Sequence, residues 1–235
     1  IWFDLFNVSY ETDKDLITVN GMKFKGGITN GDFASIFMNK DYESLPLKDR
    51  VVVDIGANIA DSAIYFITKA AKKVYAIEPN RFLYDLANEN VNLNSMSDRI
   101  QTVFAGCSSK TSLDSYPPFL TLEHIVHHYG IDPDFLKIDC EGCEYDIILN
   151  SSERVLQDFN YILVEYHYGY RKIKDKLEKC GFQTKVSGPT YYPQITKPSN
   201  VSTMFSVSHS KVETGSLVKP FIGYVYATKN SFQNN

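Results

Sequence analysis

The chain has 235 residues, 43% hydrophobic and 14% aromatic, enough apolar side chain for one globular domain with a sizeable core. Lys and Arg number 24 against 28 Asp and Glu, and a net charge of −4 argues against non-specific nucleic-acid binding, though not against a small local basic site. No apolar run approaches the ~20 residues of a membrane span, and no signal-peptide pattern opens the chain. Four cysteines are too few for a disulfide framework, so a soluble, cytoplasmic protein is expected.

Residues 1–48 read as an appendage to a domain over 49–235. Leu16-Ile-Thr-Val19 and Met22-Lys-Phe24 flank Asn20-Gly21, a hairpin signal, and Asp32 can cap a short helix through Met38. From Val51 strands alternate with helices. Val51-Val-Val-Asp-Ile is a buried strand, Gly56 its tight turn, and Ala60, Ala63, Ile64, Ile67, Ala70 and Ala71 share one face of the helix that follows. A second strand runs to Glu78. Phe82, Leu83, Leu86 and Val91 mark the next helix, and 100–105 a third strand. A short helix over 122–129 precedes a fourth strand, 135–138, ending in Asp139. Tyr145, Ile148 and Leu149 begin another helix, and 161–164 is a fifth strand ending in Glu165. Ile173, Leu177 and Cys180 form the inner stripe of the next helix. Units of this kind predict a parallel, doubly wound sheet with helices on both faces. Residues 188–218, with Pro189, Pro193, Pro198 and the pair Tyr191-Tyr192, form a long connection expected to help shape the acceptor site, and 222–227 is a last strand.

Four strands thus end in acids: Asp54, Glu78, Asp139 and Glu165. Acids form strands poorly, and ligands of open α/β sheets sit beyond the carboxyl ends of the strands, so these four together point to a site. Glu78 follows Asp54 at the spacing that brings a carboxylate to ribose hydroxyls. A nicotinamide dinucleotide requires Gly-x-Gly-x-x-Gly at the turn. Here the turn reads Gly56-Ala-Asn-Ile-Ala-Asp61, and Asp54 and Asp61 would set negative charge beside a pyrophosphate. A phosphate-free cationic nucleoside suits this rim better. S-adenosylmethionine, with its sulfonium and ammonium, is such a ligand.

Val51-Val-Val-Asp-Ile-Gly-Ala-Asn58, Ala76-Ile-Glu-Pro79, Phe135-Leu-Lys-Ile-Asp-Cys-Glu-Gly-Cys-Glu144 and Ile162-Leu-Val-Glu165 resemble the FkbM family of class I methyltransferases over roughly residues 50–185. The Lys-x-Asp-x-Glu-Gly-x-Glu pattern of that family is complete in Lys137, Asp139, Glu141, Gly142 and Glu144. Ala60 stands where Gly is usual, and Cys140 and Cys143 where small apolar residues are usual. The resemblance implies a seven-stranded Rossmann-like sheet, S-adenosylmethionine as donor, and O-methylation of a sugar or small natural product. It places Gly56, Ala57 and Asn58 along the methionine part of the donor, Asp54 near its ammonium, Glu78 on the ribose and Ala105 against adenine. Asp139 would border the methionine part or the acceptor, with a helix cap as its structural alternative. Lys137 is expected to pair with Glu165.

Candidate general bases are Glu141, His167 and Glu165. His124, His127 and His128 have metal-ligand spacing, but no fourth ligand is evident, so an exposed helix face is preferred and no metal is expected. Cys140 and Cys143 read as incidental packing, with a reactive thiol as the alternative. An RNA methyltransferase is the rival enzyme, because 76–94, with Asn90-Val-Asn-Leu-Asn94, also resembles tRNA guanosine methyltransferases. A donor-binding protein without turnover is the other rival.

Overall fold

A computed structural model of the protein describes residues 10–13, 15–26, 34–188, 190–191 and 221–230. Asp32, Tyr192 and most of the 188–218 connection lie outside the described residues, and with them the helix cap and the acceptor-shaping role expected there.

The hairpin forms as its turn dictates. β2 (Leu16–Val19) and β3 (Met22–Lys25) are joined through Asn20 and Gly21, at φ 50° and 82°. Positive φ at both central residues is what a tight hairpin turn with the correct twist requires. β1 (Tyr10–Asp13) adds a third antiparallel strand.

The main sheet comprises β4 (Val51–Ile55), β5 (Lys73–Glu78), β6 (Ile100–Phe104), β9 (Phe135–Ile138), β10 (Tyr161–Tyr166), β11 (Phe182–Val186) and β13 (Phe221–Lys229). Its order is β11-β13-β10-β9-β4-β5-β6, with the short β12 (Thr190–Tyr191) beside β13. The run from β10 to β6 is parallel, whereas β13 is antiparallel to both its neighbours. A small parallel pair, β7 (Gly106–Cys107) and β8 (Phe119–Leu120), follows β6. A π-helical turn, Ala34–Met38, stands where the short helix ending at Met38 was expected, and the α-helices are α1 (Asp61–Thr68), α2 (Arg81–Leu93), α3 (Leu122–His128), α4 (Glu144–Asn150), α5 (Glu153–Gln157) and α6 (Arg171–Lys179). From β4 the chain moves outward to β5 and β6, then returns across β4 to β9 and β10. Strand order therefore reverses between β4 and β9, which opens a crevice at their carboxyl ends.

Hydropathy missed β11, because it is an edge strand in which only Phe182 is buried and charged and polar residues alternate. Two residues expected inside are outside. Ala70 is exposed in the turn that ends α1, at φ 66°, and Phe82 at the start of α2 is 68% exposed. In contrast α1 is buried on every side from Asp61 to Ile67. The reason is tertiary. The sheet covers one face, while Phe37 and Tyr42 from the N-terminal segment set their rings 6.0 Å from Tyr65 and 5.5 Å from Phe66. Asn90 of α2 and Asn94 at its C-cap clamp β3: each amide accepts from the backbone N–H of Lys25 or Lys23 and donates to the same residue's carbonyl. Asn90 also donates to the carbonyl of Ile59 (3.0 Å), next to the first turn of the site. Among the described residues no helix is long and apolar enough to cross a membrane.

Candidate functional site

The turn after β4 is built by close approach of backbone to backbone. Asp139 N–H donates to the Ile55 carbonyl at 3.1 Å, so the chain leaving β9 runs against the turn. Gly56 sits at φ +77°, and a Cβ there would lie 1.8 Å from the Asp139 carbonyl oxygen. The glycine is therefore needed against the protein's own chain as well as for its dihedral. Gly56 and Ala57 N–H both donate to Ile77 O, at 3.0 and 3.1 Å. Asn58 follows at φ 50° and Ala60, the N-cap of α1, at φ 64°. A left-handed cap explains why glycine is usual where Ala60 stands, since a Cβ there costs roughly 1–2 kcal/mol.

Glu78 fastens this turn to the end of β5. Its Oε2 accepts from Asn58 N–H (2.9 Å) and its Oε1 from Asn80 N–H (2.8 Å). Burial pushes its carboxyl up to about 7, against the pull of those two amides. The carboxylate retains lone pairs beyond the two it uses.

Behind the turn lies Lys137. Parallel register sets it opposite Asp54 on one side and Leu163 on the other. Its Nζ is 3.0 Å from Asp54 Oδ1 and 4.0 Å from Asp139 Oδ2, and it donates to the Gly56 carbonyl at 3.1 Å. The expected ion pair with Glu165 is therefore replaced by one with Asp54, because register offsets Glu165 from Lys137 by two residues. Ser62 donates to the other oxygen of Asp54 at 2.6 Å. Asp54 is wholly buried and sits beneath the crevice floor.

The opposite wall is a chain of titratable groups. The Asp139 and Glu165 carboxyls share a hydrogen bond. Burial and the Asp139 charge push Glu165 up to about 9, so Glu165 carries the shared proton at neutral pH; burial raises Asp139 as well. His167 lies with Nδ1 3.2 Å from Glu144 Oε1 and Nε2 3.4 Å from Glu141 Oε2. Burial opposes its charge, but the carboxylates of Glu144, Asp139 and Glu141 outweigh burial and push it up to about 9. Burial likewise works to raise Glu144, but the imidazolium and the Cys140 N–H (2.9 Å) hold it below the usual carboxylate range.

Cys140 and Cys143 form a disulfide across this loop, which corrects the reading of them as incidental packing. They meet because Glu141 and Gly142, at φ 57° and 117°, turn the chain back on itself. The cap reading of Asp139 is also set aside. α4 starts after Cys143 without a side-chain cap, and it is Glu144 that reaches back to the preceding loop.

A cavity of about 180 Å³ opens between the two walls, lined by Gly56, Asn58, Glu78, Pro79, Leu83, Asp139, Cys140 and Glu141. Five of the predicted site residues thus meet here: Gly56, Asn58, Glu78, Asp139 and Glu141. Asp54, Ala57 and Ala105 are buried outside its lining, and Glu165 and His167 stand behind Asp139. Larger concavities of about 520 Å³ and 470 Å³ lie on the β11–β13 edge and over α3, away from the strand tips. His124 and His128 stack in the latter, their ring centroids 5.3 Å apart, on a mainly exposed helix face. Glu144 was given no role from sequence, although it completes the family pattern. It is the first residue of α4, and only the folded loop shows that its carboxylate turns back to Cys140 and His167.

Three carboxylates walling one cavity disfavour a pyrophosphate, and the Asn58 amide, free to meet one in a dinucleotide site, is here bound to Glu78. A cationic, phosphate-free nucleoside fits these residues. The protein 158B of Sulfolobus islandicus rod-shaped virus 1, itself uncharacterised, is 26% identical over 117 residues, covering 49% of this chain and 62% of its own length. Among solved structures, M. capricolum TrmK in complex with S-adenosyl-homocysteine matches with TM-score 0.56 at 15% identity, over 81% of this chain and 67% of that one. M. jannaschii TYW2 in complex with AdoMet matches with TM-score 0.50 at 16% identity, over 94% and 84%. Such distant likeness shows the shared Rossmann-like fold of class I methyltransferases. The family model of the FkbM methyltransferase domain matches residues 54–184, the turn, both walls and the strands between them, and the chain belongs to that family of S-adenosylmethionine-dependent methyltransferases.

Proposed function

We propose that the protein methylates a hydroxyl group on a sugar or small natural product, with its donor held in the cavity between Glu78 and Asp139. The observation that carries this reading is the carboxylate lining of the cavity at the strand switch point. When bound, S-adenosylmethionine supplies an electrophilic methyl group on a sulfonium. Glu78, fixed by two backbone amides, is oriented to accept from ribose hydroxyls. Gly56 and Asn58 line the part of the cavity assigned to the methionine portion. Asp54 acts through Lys137 and Ser62, holding the turn, rather than by touching the donor. Ala57 packs beneath the turn, and Ala105, buried just after β6, keeps the adenine-side role that the resemblance gives it.

The rate depends mainly on alignment, since positioning reactants lowers a barrier by ~7–11 kcal/mol. Of the three candidate bases, His167 is cationic and Glu165 protonated at neutral pH, so neither is set to take a proton. Glu141 lines the cavity with a side chain 89% exposed, and it is assigned the base. His167, 3.4 Å from it, positions that carboxylate.

The feature that suggested an RNA substrate has a structural use. Asn90 and Asn94 are committed to β3, and the net charge of −4 offers little to a phosphate backbone. A gel shift with tRNA at low and moderate salt should show no salt-sensitive complex. A cytoplasmic location would leave most disulfides reduced, so alkylation of Cys140 and Cys143 at cell lysis tests that placement. The decisive experiment is a thermal shift with S-adenosylmethionine, S-adenosylhomocysteine and NAD side by side. At ~100 times its dissociation constant, a ligand adds about 2.7 kcal/mol. The two sulfur nucleosides should shift the wild type and NAD should not, and Glu78→Gln should lose most of the shift while remaining folded. A shift with NAD alone would overturn the reading.

A further inference from the structure

Asp139, Glu144 and His167 each bring one ligand atom to within 4.8 Å of the other two, a grouping of a kind found nowhere else among the described residues. Two of these side chains keep atoms that the fold leaves unmet. Glu144 Oε2 and His167 Nδ1 are buried without a hydrogen-bond partner, on residues 0% and 5% exposed. Nδ1 approaches Glu144 Oε1 at 3.2 Å, but without the alignment of a hydrogen bond. Leaving buried polar atoms unmet is costly, and these two, on side chains that touch through Oε1, call for a missing partner.

Charge points the same way. Lys137 lies 3.0 Å from Asp54 and 4.0 Å from Asp139, while Glu144 faces His167, so three carboxylates share one lysine. Two negative charges remain, which one divalent cation on a neutral imidazole would cancel. An imidazolium cancels only one of them and leaves Glu144 Oε2 unmet. Oxygen, oxygen and nitrogen form a borderline donor set, harder than a thiolate zinc site and softer than an all-oxygen magnesium site.

We propose that Asp139, Glu144 and His167 bind one first-row divalent cation, with Mn²⁺ the matching probe. The sequence reading expected no metal, because it looked to the histidines of α3. Asp139 lines the cavity across from Glu78, so the ion would reach the acceptor side of the crevice. If the methyl-transfer reading above holds, a substrate hydroxyl coordinated there would be acidified. The binding claim itself does not depend on that reading.

The full-length chain, stripped with chelator, is titrated with Mn²⁺ by calorimetry and by the loss of the free-ion paramagnetic signal, without donor. We expect one equivalent with micromolar affinity, at least tenfold weaker at pH 6 than at pH 8 because His167 must lose its proton. Zn²⁺ should compete and Mg²⁺ should bind more weakly. Glu144→Gln and His167→Gln should each weaken binding at least thirtyfold, whereas His127→Gln on the exposed face of α3 should not. If either variant fails to show a cooperative melt, Asp139→Asn takes its place. Binding no tighter than millimolar, or binding that survives these substitutions, would overturn the site. A chain that binds Mn²⁺ as described but shows no thermal shift with S-adenosylmethionine would retain the cation site and lose the methyl-transfer reading.

Discussion

The two walls of the crevice are held by different physics. On the β4–β5 side the backbone does the work: Gly56, Ala57 and Asn58 spend their amides on Ile77 and Glu78, and one carboxylate closes the turn. On the β9–β10 side, side chains do it: Asp139, Glu165, His167 and Glu144 share protons and charges behind a loop tied by Cys140 and Cys143. The first wall is preorganised by geometry and tolerates almost no added atom. The second is set by protonation, so pH can change it without moving the backbone. Lys137 links them, through Asp54 and the Gly56 carbonyl on one side and Asp139 on the other.

The strongest test of the geometric wall is Gly56→Ala. Its Cβ would meet the Asp139 carbonyl at 1.8 Å, and a loss upwards of about 4 kcal/mol is expected by denaturant titration, in the range of the most damaging core substitutions. A tolerated Gly56→Ala would show that the turn can open. Removing the link comes next. Lys137→Met leaves Asp54 buried and uncompensated, at about 3–5 kcal/mol, and adding Asp54→Asn should recover much of that in a double-mutant cycle.

The second wall should respond to pH. His167 is raised from 6.5 to about 9 in the fold. The stability it contributes is therefore full below about 6.5 and lost as pH rises through about 9. Glu165, raised from 4.5 to about 9, acts in the same direction, because its neutral form is the one the fold favours. The melting temperature should fall between pH 7 and 9.5, with a loss on the order of 2–3 kcal/mol, and His167→Gln should flatten the slope. A flat wild-type profile would put the two walls on the same footing. The smallest effect sharpens the comparison from the donor side. Burial pushes Glu78 up to about 7 in the free protein, and on the proposed reading ribose hydroxyls would favour its ionised form. Donor affinity measured by calorimetry should therefore hold above pH 8 and weaken toward tenfold per unit below about 7, with Glu78→Gln showing no such dependence.

Much of the frame was legible in the sequence. β-branched strands ending in acids, helices of regular spacing and an Asn-Gly turn are local signals, so the parallel strands, the hairpin and the carboxylate rim could be read residue by residue. Gly56, Asn58, Glu78, Asp139 and Glu141 do meet at one cavity. β11 was not legible, because an edge strand buries too little to leave an alternating apolar trace. Nor was the burial of α1 on both faces, which depends on a segment packed from elsewhere in the chain.

What the sequence determined by itself was the β4–β5 wall, since a turn and the strands around it are encoded by neighbouring residues. Tertiary structure alone decided who pairs with whom. Register gave Lys137 to Asp54 instead of Glu165, the reversed loop brought Cys140 to Cys143, and the folding of β10 beside β9 set His167 against Glu144. Charge and burial at those positions depend on residues many positions apart. Only the assembled sheet fixes the distances that make a carboxyl neutral or an imidazole charged.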